Sequence, residues 1–204
     1  MTYQDNRIYL ASQSPRRREL LKQIGAHFEV LYLRQAPGRE DVLEIPGVDE
    51  APMAFARRMA REKAKCGAKL VRNRRMMLLP VLGADTLLDL EGEIIGKPRD
   101  LAHAREVLQR LSGRAHWVHT GIALAWGERV ETRLSSSKVS FSALSAEQIE
   151  RYLKSGEALD KAGAYGIQGR AAAFIQRIQG SHSGIMGLPL FETAALLQVA
   201  GIIV

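Results

Sequence analysis

The sequence predicts a mixed α/β fold, because strand and helix patterns alternate along the chain. Near the N-terminus, an apolar run at 8–11 breaks at two serines and is followed by Pro15 and an amphipathic segment, which is the pattern of a strand, a turn and a helix. In mid-chain, an apolar run from Met76 breaks at 83–86 and resumes to Leu90, which is typical of a central strand.

Length and composition set the class of protein. With 204 residues and 46% hydrophobic composition the chain can bury a core, and we expect one domain over residues 1–204. The one cysteine, Cys66, has no second cysteine for a redox or zinc pair, which favours a reducing compartment. Because neither a signal-peptide pattern nor a run as long as a membrane span is present, we expect a soluble, unprocessed cytoplasmic protein with no membrane partner.

The formal charge of +7 suits an anionic partner: a nucleic acid, a nucleotide or an acidic surface. Much of the excess lies between Arg57 and Arg75, in a helical pattern and at its exit. No aromatic side chains interleave with these charges as base-stacking platforms, so they indicate a solvated face. We therefore expect no primary nucleic-acid partner.

The first helix offers a place for an anion. Its N-terminus, at Pro15, directs unpaired N–H groups and the positive end of the helix dipole towards the preceding turn. Ser12 and Ser14 add hydroxyl groups there, and the three arginines at 16–18 add charge. We expect phosphate as the ligand; the alternative is that Ser14 caps the helix and the arginines form a solvated face.

The next segments are predicted in order: a helix end near Gly25, a strand at 28–33, a loop at 34–49 rich in proline, glycine and acids, and a helix that opens at Pro52. In that helix Lys63 lies near the apolar stripe that three other residues form: Phe55, Met59 and Cys66. A lysine that faces inward needs a negative partner.

Asp85 interrupts the central apolar run beside two small residues, which would let another group approach closely. A buried acid is costly unless it is paired or bound to a metal, so Asp85 is the first candidate for chemistry; the alternative is an Asp that caps a turn. A hairpin turn at 91–92 would return Lys97 to the same end as Asp85. A carboxylate and an ammonium would then face one site.

The second half of the chain predicts a helix from Asp100 closed at 112–113, two long strands at 115–126 and 130–141, and a helix opened by a capping box. The residues of that box are Ser145 and Gln148. On a strand, side chains three positions apart point to opposite faces, so His116 and His119 are poor candidates for one metal.

The stretch 160–169 combines small residues with an acid, a lysine, a tyrosine and a glutamine. The amide of Gln168 could read a donor and acceptor pair on a base edge, although composition alone favours a glycine-rich turn. The segment 171–178 is ambiguous between strand and helix, 180–187 is predicted as loop, and 188–200 as the last helix.

Six motifs follow one another along the chain: SQSPRR at 12–17, GADT at 83–86, GKP at 96–98, LSG at 111–113, DKAGAYGIQG at 160–169 and GLPL at 187–190. In this order they resemble the motif series of the Maf family of nucleoside triphosphate pyrophosphatases, over about residues 8–197. Six separated motifs in order are specific, whereas any one alone would be weak.

The resemblance implies a fold like that of inosine triphosphate pyrophosphatases: a strongly twisted mixed sheet with flanking helices and a cleft between two lobes. It also implies hydrolysis of a nucleoside triphosphate between the α and β phosphates, with a divalent cation, Mg²⁺ or Mn²⁺, as cofactor. The form of 164–169 is similar to the branch that acts on dTTP and UTP. The branch acting on 7-methyl-GTP carries a different version there.

The resemblance also implies roles for particular residues. Asp85 matches the proton acceptor, and three residues match those associated with substrate choice: Arg16, Thr86 and Gln168. The family's acid before the second helix maps to Glu44, with three other acids of the loop as alternatives: Glu40, Asp41 and Glu50.

We therefore expect a triphosphate bound against Ser12, Arg16 and Arg17. Glu44 and Asp85 are the expected metal ligands, and Lys63 and Lys97 the residues that stabilise the leaving pyrophosphate. Two alternatives remain: a pyrophosphatase of modified purine nucleotides, and a regulator of cell division that binds nucleotides or nucleic acid. Whether the protein forms a homodimer is left open.

Overall fold

The computed structural model describes residues 6–34, 36 and 38–204, and in this part of the chain a seven-stranded mixed sheet is flanked by helices. The strands are β1 (Arg7–Leu10), β2 (His27–Val30), β3 (Val81–Leu90), β4 (Glu93–Ile95), β5 (Ala115–Trp126), β6 (Arg129–Phe141) and β7 (Ile175–Gln179). The α-helices are α1 (Pro15–Gln23), α2 (Pro52–Asn73), α3 (Leu101–Leu111), α4 (Ala146–Leu153), α5 (His182–Met186) and α6 (Leu190–Val199), and short 3₁₀ turns occupy Ala162–Ala164 and Arg170–Phe174. The predicted mixed α/β fold is confirmed.

Helices cover both faces of the sheet. Helix α2 packs on one face, where its residues Ala60 and Ala64 meet Ala123 and Ala125 of β5. The opposite face carries two apolar clusters, one formed with α1 and α6 and the other with α3 and α4. None of the helices in the described residues is both long enough and apolar enough to cross a membrane.

The sheet order is β2-β1-β3-β5-β6-β7, with β4 added to β3. Strand β1 is parallel to β2 and β3, and the other neighbours are antiparallel. On one side of β3, β1 pairs only as far as Leu82 and β4 pairs only from Leu88. The residues between them, 83–87, pair with β5 alone in the described sheet, and this gap is where Asp85 and Thr86 lie.

The central strand differs from the prediction in two ways. It begins at Val81 and not at Met76, because Pro80 has no N–H to donate to a sheet ladder. It also continues through 83–86 without a break. Gly83 is small because of helix packing: a Cβ there would lie 2.5 Å from the carbonyl oxygen of Ala60 in α2.

Several other boundaries are corrected. The second strand is His27–Val30 and not 28–33, and β6 begins at Arg129. The stretch predicted as loop at 180–187 contains α5, a helix of five residues that is too short to show helical periodicity. The ambiguous segment 171–178 divides into a 3₁₀ turn and a strand, at Phe174.

The turn and cap predictions are confirmed. Glu91 and Gly92 both have positive φ, 58° and 91°, as the tight turn between β3 and β4 requires. Ser145 and Gln148 form the capping box of α4. The described residues of the loop at 34–49 contain no helix or strand; Gln35 and Pro37 of this loop, and residues 1–5, lie outside the described residues.

Candidate active site

A cavity of about 720 Å³ opens beside the gap in the sheet. Its walls come from the N-terminus of α1, the loop before α2, the middle of β3, Lys97 and the stretch 160–168. Nine residues predicted from the sequence as site residues all line it: Ser12, Arg16, Arg17, Glu44, Lys63, Asp85, Thr86, Lys97 and Gln168. A cavity of this size is typical of small-molecule sites.

In the wall of the cavity, the ammonium group of Lys63 forms ion pairs with two carboxylates. The Nζ atom of Lys63 lies 2.6 Å from Oδ1 of Asp85 and 2.6 Å from Oε1 of Glu44. Lys63 and Asp85 are each 9% exposed. The inward lysine predicted from helical spacing therefore has the negative partners that its burial requires.

The geometry also separates Glu44 from the other acids of its loop. Asp41 is tied to Arg34, whose backbone N–H and side chain both donate to it. Glu50 accepts bonds from Arg58 at 2.7 and 2.6 Å, which together with the N–H of Gly47 lower its pKa to about 2. Neither these two acids nor Glu40 lines the cavity, whereas Glu44 does.

Burial and neighbouring charges have opposite effects on the pKa values of two cavity residues, Glu44 and Arg17. Burial acts to raise the pKa of Glu44, but Lys63 lies close enough to hold it below the usual value, with smaller contributions from Lys97 and Arg17. Burial lowers the pKa of the Arg17 guanidinium, and the charge of Asp85 opposes this. Cations of the protein thus surround both carboxylates.

The N-terminus of α1 faces the cavity as predicted. Pro15 is the first helical residue, and Ser14 occupies the cap position without a side-chain cap bond. Arg16 forms an ion pair of 3.4 Å with Asp160, which lies on another cavity wall. Arg16 and Arg17 line the cavity, so the alternative of a side-chain cap followed by a solvated arginine face is wrong; Arg18 does not line it.

The stretch 160–169 is a loop anchored by buried aromatic side chains. The hydroxyl of Tyr165 lies 2.7 Å from Nε2 of His116, and the hydroxyl of Tyr152 donates to the carbonyl oxygen of Ala164 at 3.2 Å. Ala164 has a φ of 61°, which is unfavourable for a residue with a Cβ. The anchors therefore hold a strained backbone at Ala164, four residues before Gln168.

The comparisons with known proteins agree with this geometry. The family model described as Maf-like protein matches residues 7–200. This chain belongs to the Maf family.

Relatives within the Maf family match over almost the whole chain. A protein of Nitrosospira multiformis named dTTP/UTP pyrophosphatase is 53% identical over 99% of this chain and 98% of its own length. A protein of Aromatoleum aromaticum with the same name is 53% identical over 96% of each chain. The solved structure of the Staphylococcus aureus Ham1 protein is similar over 66% of this chain and 70% of that one, with 18% identity and a TM-score of 0.40.

In this member of the Maf family, the donor set fits a hard divalent cation. Among the described residues, no group of three or more His, Cys, Asp or Glu side chains is arranged to hold a metal ion. Glu44 and Asp85 nevertheless converge on one side of the cavity. Mg²⁺ is usually held by one or two carboxylates, substrate phosphates and water, so two carboxylates suffice.

His116 and His119 lie on opposite faces of β5, as predicted. His116 contacts Phe141 and Tyr165 on one face, with ring centroids 5.2 and 5.5 Å away. His119 hydrogen-bonds Ser136 and Asp89 on the other. Neither histidine lines the cavity.

Two residues that support this site were not predicted from the sequence to do so: Tyr165 and Thr120. The role of Tyr165 could have been suspected, because a tyrosine inside a glycine-rich stretch is unusual. Nothing in the sequence indicates that its partner is His116, 49 positions away. The role of Thr120, a fully buried threonine of β5, could not have been suspected, since threonine is common in strands.

Proposed function

We propose that this protein is a nucleoside triphosphate pyrophosphatase that hydrolyses dTTP and UTP to the monophosphate and pyrophosphate. The observation that carries the proposal is the arrangement of Asp85 and Glu44 around Lys63, in a cavity that also contains an arginine-flanked helix N-terminus. A module that only binds phosphate gains nothing from carboxylates beside its anion. The names of the relatives support the same activity.

The triphosphate would lie against α1. The first N–H groups of this helix, the hydroxyl of Ser12 and the guanidinium groups of Arg16 and Arg17 all face the cavity. Backbone N–H groups and arginines are strong partners for phosphate oxygens, because both donate hydrogen bonds and carry positive charge. This end of the cavity therefore orients the substrate.

Glu44 and Asp85 would hold Mg²⁺ or Mn²⁺. When bound, such a cation lowers the pKa of a coordinated water and neutralises charge on phosphate oxygens. Both residues line the cavity.

Asp85 would act as the base. Lys63 engages Oδ1 of Asp85, and Oδ2 accepts no hydrogen bond from the described residues. Oδ2 is therefore available to orient a water and accept its proton as the water attacks the α-phosphorus. Lys97 and the arginines would stabilise the negative charge that develops on the leaving pyrophosphate.

Gln168 would read the base. Its side chain is exposed at the cavity wall, and an amide carries both a donor and an acceptor. This pair matches the O4 and N3–H edge that uracil and thymine share. The preference for dTTP and UTP would follow from that match.

A panel of dTTP, UTP and 7-methyl-GTP, assayed for pyrophosphate release with Mg²⁺ or Mn²⁺, tests the proposal. We expect release from dTTP and UTP well above that from 7-methyl-GTP. A preference for 7-methyl-GTP would identify a modified-purine pyrophosphatase. Binding of duplex DNA or of RNA at physiological salt, without any hydrolysis of the triphosphates, would identify a nucleic-acid-binding regulator.

A further inference from the structure

One guanidinium joins two hydroxyl groups in the cavity. Nη1 of Arg17 lies 3.0 Å from Oγ of Ser12, and Nη2 lies 3.2 Å from Oγ1 of Thr86. A guanidinium has five N–H donors and no acceptor, so both hydroxyl groups must accept here. Nε of Arg17 donates to the carbonyl oxygen of Gly187 at 2.8 Å and fixes the plane of the group.

Thr120 determines the direction in which the hydroxyl group of Thr86 donates its proton. The hydroxyl oxygens of Thr86 and Thr120 lie 2.9 Å apart, and Oγ1 of Thr120 lies 2.8 Å from the carbonyl oxygen of Gly184. A carbonyl only accepts, so the single proton of Thr120 goes to Gly184. In the bond between the two threonines, Thr86 must therefore be the donor.

The hydrogen bonds thus run in one direction, from Arg17 to Thr86, to Thr120 and to Gly184. The ends cannot reverse, because a guanidinium only donates and a carbonyl only accepts. Thr120 is fully buried, so water cannot substitute for either neighbour. Thr86 keeps one lone pair and no proton for a ligand, and towards the cavity it is an acceptor only.

Unlike the hydroxyl group of Thr86, that of Ser12 keeps its proton available for a ligand. Its oxygen accepts from Arg17 and, at 3.3 Å, from the backbone N–H of Ser14, so both lone pairs are used and its proton is available. A hydroxyl with a free proton suits a phosphate oxygen. A hydroxyl with only a lone pair suits a donor, and phosphate oxygens do not donate.

We propose that Thr120 is a positioning residue that fixes Thr86 as an acceptor, so that Thr86 selects nucleotides by a hydrogen-bond donor on the nucleoside. The inference rests on the proposed function for its ligand, a pyrimidine nucleotide. The N3–H of the base is assigned above to Gln168, so the donor from which Thr86 would accept is the 3′-hydroxyl of the sugar.

The surroundings keep the network in place. A Cβ at Gly187 would lie 3.4 Å from Oγ1 of Thr86 and 3.6 Å from Nε of Arg17, and the φ of 116° at this position also favours glycine. The carbonyl oxygen of Gly184 additionally accepts from the N–H of Gly187. Removal of the Thr120 hydroxyl would therefore leave that carbonyl with a partner, and the variant should fold.

Thr120→Val and Thr120→Ser test the proposal against three nucleotides: dTTP, its 3′-deoxy analogue and N3-methyl-dTTP. The equilibrium Kd is measured in EDTA, so that the readout does not depend on turnover, and KM and kcat are measured with Mg²⁺. We expect the wild type to bind the 3′-deoxy analogue about 3- to 10-fold more weakly than dTTP, which is the range for one lost hydrogen bond. N3-methyl-dTTP lacks the donor assigned to Gln168 and is the comparison, because changes at Thr120 should leave its penalty unchanged.

In Thr120→Val the proton of Thr86 is released and its hydroxyl can turn to donate. We expect the penalty for the 3′-deoxy analogue to fall, because the freed hydroxyl is no longer held with its lone pair towards the nucleoside, and KM for dTTP to rise about 3- to 10-fold, with a smaller change in kcat. Thr120→Ser, which keeps the hydroxyl, should restore the wild-type penalty. Thr193→Val is the matched control, because Thr193 is also fully buried and donates to a backbone carbonyl, but that carbonyl belongs to Pro189, which does not line the cavity.

The proposal is overturned if the wild type binds dTTP and the 3′-deoxy analogue equally, if the 3′-deoxy penalty is unchanged in Thr120→Val, or if Thr120→Ser behaves like Thr120→Val. Equal loss of selectivity in Thr193→Val would also overturn it, by indicating a general effect of a lost core hydroxyl. If the wild type binds dTTP selectively but releases no pyrophosphate, the proposed function fails and the role of Thr120 stands.

Discussion

The ammonium of Lys63 and the carboxylate of Asp85 lie 2.6 Å apart, although the two residues are 22 positions apart in the chain. One comes from a helix and the other from the sheet. They meet because Gly83 and Gly121 let the backbone of α2 approach β3 and β5, and any Cβ at either glycine would clash with that backbone. The close approach of helix to sheet therefore builds the centre of the candidate site.

Asp85→Asn should leave the fold intact and reduce pyrophosphate release by about two to three orders of magnitude, as expected for loss of a group that acts in the transition state. Lys63 would retain Glu44 as a charged partner, so its burial would remain compensated. The measurement is kcat for dTTP beside a thermal melt. Asp89→Asn, on the same strand but outside the cavity, is the control, and near-normal turnover by Asp85→Asn would refute its role as base.

Glu44→Gln should weaken the affinity of the site for the divalent cation. Since one of two expected ligands is lost, the Mg²⁺ concentration for half-maximal rate should rise by about 10- to 100-fold. Glu40→Gln, in the same loop but outside the cavity, should match the wild type. If Glu40→Gln shows the shift and Glu44→Gln does not, the assignment of the acid is wrong.

Gln168→Glu should lower turnover of dTTP and UTP relative to 7-methyl-GTP. A carboxylate cannot donate to O4 and would repel it, so the preference for dTTP and UTP over 7-methyl-GTP should fall by roughly 10- to 100-fold. The measurement is the ratio of kcat/KM values across the three nucleotides. Gln179→Glu, an exposed residue of β7, is the control; an unchanged ratio in Gln168→Glu would place base recognition elsewhere.

His116 should make the folded protein sensitive to acid. Burial lowers its pKa to about 4, from an ordinary value of 6.5. Between these values the unfolded chain binds a proton that the folded protein does not, so the free energy of unfolding falls as the pH drops from about 6.5 towards 4, by at most about 1.4 kcal/mol per pH unit.

Urea unfolding of the wild type and of His116→Gln at pH 7.5 and pH 5 measures this effect. His116→Gln should lose less stability between the two pH values, whereas His27→Gln, at an exposed position of β2, should lose as much as the wild type. Equal losses in all three proteins would mean that His116 is not kept neutral by the fold.

Local patterns were sufficient for the elements that depend on local chemistry. Pro15 at a helix start, the capping box of Ser145 and the turn at Glu91 are settled by neighbours within four residues, and the structure agrees with all three. The same locality explains the errors. The apolar run from Met76 resembles a strand in composition, but the strand begins only at Val81, directly after a proline that has no N–H to donate.

The sequence by itself determined that Lys63 faces inward, that Asp85 and Lys97 share one end of a hairpin, and that α1 begins at Pro15, after a turn that contains two serines. Only the tertiary structure decided that Glu44, rather than its neighbours in the loop, reaches Lys63, and that Thr120 fixes the proton of Thr86. The physical reason is that periodicity gives the direction of a side chain along its own element. The partner of a charge or a hydroxyl depends on which distant segment the folded chain brings within about 3 Å.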